Sequence, residues 1–493
     1  MISKRPVAGI VPCVQADFEA LSLSPALLAV VAELGYERPT AVQSASIPAL
    51  LAGKDLIGQS KTGSGKTAAF ALPILQRIDL AKRGVQALVL CPTRELSTQV
   101  AREFRTLGRG HPGLTVLELV GGQPARTQKE ALGRGVHVAV GTPGRLLDHL
   151  QSGALETDSI TTLVLDEADR MLDMGFGEDV GKIVRRLPRF RQTVLFSATI
   201  PDSIAALSDS YQRDAVRVKI DDSEGADVEI RQLMLVVKPQ EKLDALCWLL
   251  HQYPHESALI FCNFKATVAE LTRTLAKAGV SADRLDGDLE QFHRDQVLAR
   301  FRSQSVRLLI ATDVAGRGID VEGLDLVINF ELPPQPEVYV HRIGRTGRAG
   351  KKGVAISLTT RGNDSRIRAI EDLTGTAVEP ITRRAGEDPG VEELLRSLAK
   401  GAKMETILIS GGRKDKVRAG DILGALTGDA GGLQGEDVGK IEIQDRLSYV
   451  AVAQKVSRAA VERLNSGRIK GKRFRATLVG GSNTRPKKSS ESS

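Results

Sequence analysis

Residues 60–67 have the types and spacing of a loop that binds nucleotide phosphates. Ser60–Thr67 (SKTGSGKT) follows the short apolar stretch Asp55–Gly58 and precedes a helical run, so its backbone N–H groups can face phosphates at a helix N-terminus. Ser60 stands where the strict P-loop pattern has its first glycine. The spacing predicts that Lys66 contacts the β- and γ-phosphates of ATP and that Thr67 binds Mg²⁺. The other loop residues predicted to bind ATP are Thr62, Gly63, Ser64 and Gly65.

A second segment places carboxylates where a hydrolytic metal site needs them. Asp166–Asp169 (DEAD) follows the apolar run Leu163–Leu165, which is predicted to be a buried strand. Carboxylates at the carboxyl end of a strand, downstream of a P-loop, can hold Mg²⁺ and an attacking water. An acidic loop that only caps the next helix is the structural alternative, and the upstream P-loop argues against it. The two segments together predict an ATP-hydrolysing site.

A basic segment far downstream can supply the positive charge that phosphoryl transfer requires. His341–Arg348 (HRIGRTGR) follows a short apolar strand-like run, and we predict that Arg345 and Arg348 contact the γ-phosphate. A solvated basic loop is the alternative. Because these arginines are predicted to lie on a different domain from Lys66, we expect hydrolysis only when the two domains close.

The elements that must position these residues follow a simple alternation. Over the first four hundred residues, short β-branched apolar runs alternate with longer helical stretches, a pattern typical of parallel sheets covered by helices. We therefore expect an α/β fold with two tandem doubly wound parallel-sheet domains. The predicted strands are Ala87–Leu90, Val136–Val140, Leu163–Leu165 and Thr193–Phe196 in the first unit, and Ala258–Phe261, Arg307–Ile310, Leu326–Asn329 and Val354–Leu358 in the second.

A smaller third unit follows, with the order βαββαβ of an α+β sandwich. Its predicted elements are the strands Thr406–Ile409, Val438–Ile443, Tyr449–Ala453 and Phe474–Leu478 and the helices Ala419–Leu426 and Lys455–Leu464.

Val218–Glu229, a stretch without apolar periodicity, separates the first two units, and a second break at Ile381–Val391, which is followed by a predicted helix, precedes the third. We predict the first domain at residues 1–217, a hinge-like linker at 218–229 and the second domain at 230–380. A second linker at 381–403, the small domain at 404–480 and a disordered tail at 481–493 complete the predicted division.

The net charge of +8 is confined to the last fifth of the chain. Residues 403–493 contain 18 Lys/Arg and 10 Asp/Glu, whereas residues 1–402 contain 50 of each. This basic excess indicates a polyanionic partner such as nucleic acid, and a solubilising tail is the alternative. Four scattered cysteines, and no run near the ~20 apolar residues of a membrane span, favour a cytoplasmic protein.

From Phe18 to Ser357 the sequence resembles the DEAD-box ATP-dependent RNA helicases, whose core consists of two RecA-like domains. Eleven elements occur in the family's order, which excludes a chance match. Besides the three segments above, the matching elements are Gly35–Gln43 (GYERPTAVQ), Pro92–Leu96 (PTREL), Gly121–Gly122, Thr142–Arg145 (TPGR), Ser197–Thr199 (SAT), Phe261–Thr267 (FCNFKAT), Asp286–Arg294 (DGDLEQFHR) and Ala311–Asp320 (ATDVAGRGID).

The resemblance implies an ATP site built around Gln43. Its amide can pair with the N6/N7 edge of adenine, Tyr36 offers a ring for stacking, and Phe18 is the isolated upstream aromatic. Asp320 would contact the ribose.

The resemblance also implies how hydrolysis is linked to RNA. Asp166 would hold Mg²⁺ through water, and Glu167 would orient or deprotonate the attacking water. The residues implied to couple the domains are Asp169, Ser197, Thr199 and His341. The implied RNA contacts are Thr93, Arg94, Gly122, Thr142 and Arg145 in the first domain and Thr267, Arg294 and Thr312 in the second. Such contacts reach phosphates and 2′-hydroxyls, so they select RNA over DNA without reading sequence.

The third unit is similar to an RNA-recognition (RRM-like) fold that lacks most of its aromatic side chains. Gly439–Ile443 (GKIEI) carries no ring, and Tyr449 and Phe474 are the unit's only aromatics, so base stacking is mostly excluded. Its opening segment, ILISGGRKDKVRAGDILGAL at residues 407–426, resembles the bacterial DbpA subfamily, whose C-terminal domain recognises a hairpin in large-subunit ribosomal RNA during ribosome assembly. The residues predicted to bind RNA by charge and shape are Arg413, Lys414, Lys416, Arg418, Arg468, Lys470, Lys472, Arg473 and Arg475.

The sequence thus predicts an RNA-stimulated ATPase and RNA helicase that separates short duplexes, with ATP and Mg²⁺ as cofactors. Its predicted partners are large-subunit ribosomal RNA and pre-ribosomal particles, with no DNA and no membrane. A DNA helicase is the first alternative, and the Gln43 motif and the DEAD segment argue against it. A non-hydrolysing RNA clamp is the second, and the presence of Lys66, Glu167, Arg345 and Arg348 argues against that.

Overall fold

The computed structural model describes residues 17–60, 64–220, 230–316, 324–347, 353–383, 389–399, 401–428 and 432–480. They form two compact units, the first ending at residue 220 and the second starting at residue 230. The predictions for Thr62, Gly63, Asp320, Arg348 and the tail at 481–493 lie outside the described residues.

The first unit is built on a seven-stranded parallel sheet with the strand order β3-β4-β2-β5-β6-β1-β7. Along each strand, alternate side chains enter opposite faces of the sheet: Val164 packs into one core, whereas Leu163 and Leu165 pack into the other. The strands are β1 (Leu56–Gln59), β2 (Ala87–Leu90), β3 (Val116–Leu119), β4 (Val138–Gly141), β5 (Thr162–Leu165), β6 (Gln192–Ser197) and β7 (Val216–Lys219).

Helices cover both faces of this sheet, as the alternating pattern predicts. The helices are α1 (Pro25–Glu33), α2 (Ala41–Leu51), α3 (Lys66–Arg77), α4 (Arg94–Leu107), α5 (Ala125–Gly133), α6 (Pro143–Gln151), α7 (Ala168–Asp173), α8 (Gly177–Val184) and α9 (Asp202–Tyr211).

The second unit repeats this architecture with a parallel sheet of order β10-β11-β9-β12-β13-β8-β14. Its strands are β8 (Ile230–Val236), β9 (Ala258–Cys262), β10 (Ala282–Leu285), β11 (Leu308–Thr312), β12 (Leu326–Asn329), β13 (Gly353–Thr359) and β14 (Glu379–Pro380). Its helices are α10 (Lys242–Gln252), α11 (Lys265–Lys277), α12 (Gln291–Arg302), α13 (Asp313–Gly316), α14 (Pro336–Ile343), α15 (Asp364–Thr374) and α16 (Val391–Leu398).

The small C-terminal domain has the predicted βαββαβ order and a four-stranded antiparallel sheet ordered β16-β17-β15-β18. Its elements are β15 (Met404–Ile409), α17 (Ala419–Thr427), β16 (Val438–Ile443), β17 (Ser448–Ala453), α18 (Ser457–Ser466) and β18 (Ala476–Leu478). The fold class predicted from the sequence, two RecA-like sheets followed by a small α+β domain, is therefore confirmed.

The C-terminal domain packs against the end of α12. The Arg302 guanidinium donates two hydrogen bonds to the Glu442 carboxylate, at 3.0 Å and 2.7 Å. The Thr406 hydroxyl donates to the Ser305 hydroxyl oxygen at 2.7 Å. A charged pair and a buried hydroxyl contact thus join the small domain to the second sheet's helices.

Regular elements occupy part of each stretch that the sequence analysis assigned to a linker. Val218 and Lys219, placed in the first linker, belong to β7, where they pair with β1. Leu394 and Leu398, placed in the second linker, lie on α16 and are buried in the core beneath the second sheet. The helix that the sequence predicts after the break at Ile381–Val391 is α16, and it lies within the stretch predicted as the second linker.

The strands that the sequence did not predict include both edges of each sheet, β3 and β7 in the first and β10 and β14 in the second. Edge strands pair on one side only and carry more polar side chains, as in β10 (ADRL) and β7 (VRVK). The inner strands β1 and β8 were missed as well. β1 is short and ends on Gly58 and Gln59, whereas β8 mixes polar and apolar residues (IRQLMLV).

Candidate functional site

The strand order of the first sheet divides its carboxyl edge into two halves. Strands β5, β6 and β1 are adjacent, and so are β3, β4 and β2. Because all seven strands are parallel, the residues after each strand meet at one edge. The DEAD segment follows β5, Ser197–Thr199 starts at the last residue of β6, and the P-loop follows β1. The candidate RNA contacts Thr93, Gly122 and Thr142 follow the other three.

The P-loop leads directly from β1 into α3, which begins at Lys66. Gly65 precedes the helix with φ +89°, in the left-handed region that favours glycine. A Cβ atom there would lie 2.5 Å from Nε2 of Gln43. The second glycine of the motif is therefore required by both backbone conformation and close packing.

Gln43 is buried and tied to the P-loop. Its Nε2 donates to the Gly65 carbonyl oxygen at 3.2 Å, and its Oε1 accepts from the Thr40 N–H at 2.9 Å. The Thr40 hydroxyl donates to the Ser64 carbonyl oxygen at 2.7 Å. Gln43, the predicted adenine contact, is thus hydrogen-bonded directly to the loop that is predicted to bind phosphates. Thr40, which the sequence reasoning did not select, could have been found as the N-cap of α2 within the same motif.

Lys66 is buried at the start of α3, and its Nζ donates to the Ser60 carbonyl oxygen at 2.9 Å. Serine in place of the first glycine of the strict P-loop pattern therefore adds a side chain at position 60 but keeps the backbone carbonyl that positions Lys66. The Ser60 and Ser64 hydroxyl oxygens lie 3.1 Å apart.

Asp166 follows β5 and is 3 % exposed. Burial raises the pKa of its carboxyl to about 6, the Lys66 ammonium opposes that rise, and the Glu167 carboxylate adds to it. A carboxylate that is costly to ionise is one that a divalent cation would stabilise strongly.

Glu167 adopts a left-handed backbone conformation with φ +51° at the start of α7. Its N–H donates to Oδ1 of Asp166 at 3.0 Å, and its Oε2 accepts from the Arg170 guanidinium at 2.9 Å. A non-glycine residue at positive φ is uncommon and marks functional sites. The sequence reasoning missed Arg170, which is 1 % exposed and holds the Glu167 side chain in place.

Asp169 joins α7 to the loop after β6. Its Oδ2 accepts from the backbone N–H groups of Ala198 and Thr199 at 3.1 Å and 3.0 Å and from the Thr199 hydroxyl at 3.0 Å. The Asp169 N–H in turn donates to the Ser197 hydroxyl oxygen at 3.3 Å. Three of the four predicted coupling residues therefore form one network within the first unit, and His341 lies on α14 of the second unit.

The two predicted aromatic contacts lie beside the start of α2. Phe18 is buried at 5 % exposure, and its ring centroid lies 6.2 Å from that of Tyr36. The Tyr36 hydroxyl donates to Oε1 of Glu103 at 2.9 Å. Burial and the Glu103 carboxylate raise the pKa of Tyr36 to about 12.

The second half of the edge holds basic and hydroxyl side chains on adjacent loops. Thr93 caps α4, its hydroxyl oxygen accepting from the Leu96 N–H at 3.2 Å. The neighbouring Arg94 lies so close to Gly121 that a Cβ there would be 2.7 Å from the guanidinium. Gly122 has φ +80°. The glycine pair thus lets the loop after β3 approach Arg94.

Arg145 is held by a buried amide that the sequence reasoning missed. Its Nη1 donates to Oε1 of Gln128 at 2.8 Å and to the Gln123 carbonyl oxygen at 3.0 Å. The Gln128 side chain is 2 % exposed, and its Oε1 also lies 2.8 Å from Nε2 of His149. Thr142 occupies the N-cap position of α6.

The carboxyl edge of the second sheet is organised around the buried Arg342. Its guanidinium donates to Oδ2 of Asp313 at 2.7 Å, to Oδ1 of Asn263 at 2.8 Å and to Oδ1 of Asn329 at 3.1 Å. These three partners follow or end β11, β9 and β12. Arg342 lies within the HRIGRTGR segment, three residues before Arg345.

The predicted RNA contacts of the second unit lie along this edge. Thr267 donates to Oε1 of Glu331 at 3.4 Å, and Nη2 of Arg294 donates to the Ala315 carbonyl oxygen at 2.6 Å. Thr312 is buried at the end of β11. Arg345 is 6 % exposed and follows α14.

The predicted basic clusters of the C-terminal domain meet at one end of its sheet. Lys470 donates from Nζ to the Lys416 carbonyl oxygen at 3.2 Å, which joins the two loops. Gly411 lies so close to Phe474 that a Cβ there would be 2.5 Å from the ring. Arg446, which is exposed in the adjacent β16–β17 turn, was not predicted. The other predicted basic residues on these loops are Arg413, Lys414, Arg418, Arg468, Lys472, Arg473 and Arg475.

Among the described residues, no helix combines the length and apolarity needed to cross a membrane.

Three family models match the chain. Residues 40–207 match the DEAD/DEAH box helicase model, residues 241–350 match the helicase conserved C-terminal domain, and residues 406–478 match the DbpA RNA binding domain.

Individual proteins resemble the chain over most of its length. The chain is 48 % identical over 457 residues to the ATP-dependent RNA helicase DbpA of Escherichia coli, covering 93 % of this chain and 98 % of that protein. It is 44 % identical over 357 residues to the DEAD-box ATP-dependent RNA helicase CshA of Bacillus cereus, covering 72 % of this chain and 68 % of that protein. A solved structure of Saccharomyces cerevisiae Dbp5 bound to RNA and ADP BeF3 covers 78 % of this chain and 100 % of its own, with a TM-score of 0.69 and 32 % identity.

Proposed function

Because the chain belongs to the DEAD-box ATP-dependent RNA helicases and carries a DbpA RNA-binding domain, we propose that this domain directs the helicase to large-subunit ribosomal RNA in pre-ribosomal particles. There the two RecA-like domains would separate short duplexes at the cost of ATP. The observation that carries the proposal is the meeting of the basic loops around Lys416 and Lys470 at one end of the small domain.

Within the ATP site, we assign roles from the geometry of the carboxyl edge. Lys66 and the P-loop backbone would hold the phosphates, and Gln43 would report adenine binding to the same loop through Gly65. Glu167 would orient or deprotonate the attacking water, because Arg170 fixes its carboxylate at the start of α7. Arg345 and Arg348 would add positive charge at the γ-phosphate once the domains close.

The residues present fit a magnesium ion. Mg²⁺ prefers oxygen ligands and is commonly bound by one or two carboxylates together with substrate phosphates. Asp166 is a buried carboxylate whose charge is poorly solvated, and Thr67 supplies a hydroxyl on the first turn of α3. The ion would supply Lewis-acid stabilisation of the phosphates, and these two side chains would orient it.

On the RNA side, the core and the small domain would divide the work. The candidate contacts on the two carboxyl edges would grip phosphates and 2′-hydroxyls irrespective of sequence. The small domain would contribute selectivity through charge and shape, since its only aromatic residues are Tyr449, which is buried, and Phe474, which packs on Gly411.

A charge reversal in the full-length protein tests the proposed selectivity. In the triple variant Lys470→Glu, Lys472→Glu and Arg473→Glu, we expect stimulation of ATP hydrolysis by a large-subunit ribosomal RNA fragment to need at least about tenfold more RNA. The salt dependence of binding should flatten, because each lost phosphate contact removes a log–log slope of about 0.7–0.9. Stimulation by an unrelated RNA of equal length and the KM for ATP should stay within about twofold.

The matched control reverses three charges in the terminal tail, Arg485, Lys487 and Lys488. If this control loses ribosomal RNA selectivity as strongly as the loop variant, the tail or the bulk charge is responsible and the proposal fails. Parallel assays with single-stranded DNA distinguish a DNA helicase, which DNA would stimulate as well as RNA.

The domain boundaries and a cytoplasmic location are further parts of this proposal. Limited proteolysis would test the linkers at 218–229 and 381–403, and cell fractionation would test the location.

A further inference from the structure

The amino-terminal edge of the first sheet, opposite the ATP site, carries a basic cavity of about 180 Å³. Among the residues that line it are Asp55, which precedes β1, Arg189 and Arg191, which precede β6, and Arg213, which lies between α9 and β7. None of these residues takes part in the candidate ATP or RNA sites described above.

This edge is locally basic, although residues 1–402 as a whole carry equal numbers of basic and acidic residues. Residues 182–191 (KIVRRLPRFR) contain five basic and no acidic residues. Among the residues that line the cavity, Asp55 is the acidic one. Its carboxylate oxygens accept from the backbone N–H groups of Thr193 and Arg213, both at 2.7 Å. The cavity therefore combines three guanidinium groups with one carboxylate that is engaged by the backbone.

Phe190 projects from the middle of this basic segment. Its side chain is 87 % exposed, and the Arg213 guanidinium carbon lies 5.0 Å from its ring centroid. A single exposed apolar residue is ordinary, but a ring flanked by arginines forms a platform that can stack a planar group.

Arg191 adds a partly buried cation to the cavity. Its Nη1 donates to the Pro188 carbonyl oxygen at 2.7 Å, and within the described part of the chain its buried Nε has no hydrogen-bond acceptor. Burial lowers the pKa of the Arg191 guanidinium, with Asp55 acting in the opposite direction. An anion entering the cavity would provide both an acceptor and a compensating charge.

We propose that Arg189, Phe190, Arg191 and Arg213 form a second RNA-binding surface, which holds a single-stranded segment away from the candidate ATP and RNA sites described above. The ring would stack one base, and the guanidinium groups would bind the adjacent phosphates. This inference rests on RNA being the substrate, and it goes beyond the proposed function because it places a contact on the face of the first domain opposite the ATP site.

The observations favour RNA over an acidic protein segment. Carboxylates would satisfy the arginines but leave the Phe190 ring without a partner, whereas a nucleotide combines a planar base with a phosphate. A four-residue strand spans roughly 13 Å. The two edges of the sheet are therefore close enough for different parts of one structured RNA to occupy both.

Three single substitutions in the full-length protein test the surface, with a single-stranded uridine-rich RNA as the probe. Arg189→Glu and Phe190→Leu should each weaken RNA binding at least about fivefold, the change that corresponds to ~1 kcal/mol of lost stacking or ionic contact. Phe190→Tyr, which keeps the ring, should stay within about twofold. Arg134→Glu, an exposed charge reversal that precedes β4 on the same edge, is the matched control and should also stay within about twofold.

Photo-crosslinking provides a readout that a structural role would not affect. RNA containing 5-iodouridine should crosslink to the peptide that carries Phe190, and ATP affinity should be unchanged in all four variants. The triple variant at Lys470, Lys472 and Arg473 should retain this crosslink, so failure of ribosomal RNA selectivity and failure of this surface give different results.

Several outcomes would overturn the inference. Equal losses in Arg189→Glu and Arg134→Glu would indicate a general field effect, and normal binding by Phe190→Leu would exclude base stacking. Competition by polyglutamate that equals competition by RNA, with no effect of Phe190→Leu, would point to an acidic protein partner.

Discussion

The two seven-stranded sheets have the same strand order but use their carboxyl edges differently. In that order, β8 occupies the position of β1, and β12 occupies the position of β5. After β1 the chain forms a glycine-containing loop and enters α3 at Lys66. After β8 it continues through Val237–Glu241 (VKPQE), which has no glycine, and enters α10 at Lys242. One architecture therefore supports a phosphate-binding loop in one unit and an ordinary connection in the other.

The corresponding lysines and carboxylates illustrate the difference. Lys242 donates from Nζ to the Phe330 carbonyl oxygen at 3.0 Å, and its Nζ lies 5.5 Å from the Phe330 ring centroid. Glu331 follows β12 and accepts from the Asn263 N–H at 2.7 Å. In the first sheet, Glu167 corresponds in position to Glu331, and Asp166 corresponds to Phe330. The carboxyl of Asp166 is buried near Lys66 and has a raised pKa. The second sheet uses the same residue types to fix its own loops, whereas the first has a buried carboxyl that we propose as a cation ligand.

The loops that follow the strands therefore determine whether the carboxyl edge of a doubly wound sheet can become a catalytic site. Glycine allows backbone N–H groups to approach phosphates, and a carboxylate must avoid full neutralisation by structural partners. In the proposed function, the second unit would instead contribute arginine side chains.

The largest expected effect comes from removing the arginine that the second unit would supply. Arg345→Ala should lower kcat for RNA-stimulated ATP hydrolysis by about a thousandfold or more, since an arginine at the γ-phosphate stabilises the transition state. ATP affinity, measured with a fluorescent analogue, should change less than about threefold. Arg366→Ala, an exposed arginine on α15, is the control. A kcat within tenfold of the unmodified protein would contradict a chemical role for the second unit.

The corresponding carboxylates provide the next test. Glu167→Gln should reduce kcat at least about a hundredfold while ATP and RNA still bind, because general base catalysis typically contributes 10²–10⁴-fold. Glu331→Gln should leave kcat within about threefold and lower the free energy of unfolding by ~1 kcal/mol through the weakened hydrogen bond to Asn263. Steady-state assays and thermal denaturation measure the two effects. Equal kinetic losses in both variants would remove the distinction between the two edges.

The paired lysines should differ by a smaller factor. Lys66→Ala should weaken ATP binding by about 10- to 150-fold, the loss of a charge-assisted contact worth ~1.5–3 kcal/mol. Lys242→Ala should leave ATP affinity unchanged and affect only thermal stability. Equilibrium titration with ATP distinguishes them, and unchanged affinity in Lys66→Ala would refute the P-loop assignment.

The smallest effect is a pH dependence that only the first edge should produce. Because burial raises the pKa of Asp166 to about 6, its carboxyl gains a proton as the pH falls through that value and can no longer hold Mg²⁺. The kcat/KM for ATP at limiting Mg²⁺ should therefore decline below about pH 6, and excess Mg²⁺ should move the decline to lower pH by competing with the proton. A pH profile that is independent of Mg²⁺ concentration would argue against Asp166 as the metal ligand.

Much of the fold, and the residues of the candidate ATP site, could be predicted from the sequence because they depend on local patterns. Buried parallel strands are short continuous apolar runs, so β2 and β12 were predicted with the bounds that the structure has. The P-loop and the DEAD segment each follow such an apolar run directly. The location of the excess positive charge also follows from counting charged residues along the sequence.

Tertiary structure decided what depends on pairing and burial between distant segments. Strand order separates the candidate ATP residues of the first sheet's carboxyl edge from the candidate RNA contacts, and no local pattern specifies which strands become neighbours. Arg342 and Arg345 belong to one motif, yet only the packed loops after β9, β11 and β12 determine that Arg342 becomes a buried structural cation. The meeting of Lys416 with Lys470 likewise depends on packing across many intervening residues. Periodicity records whether a side chain is buried, whereas the identity of its partner is fixed by the folded arrangement of the whole domain.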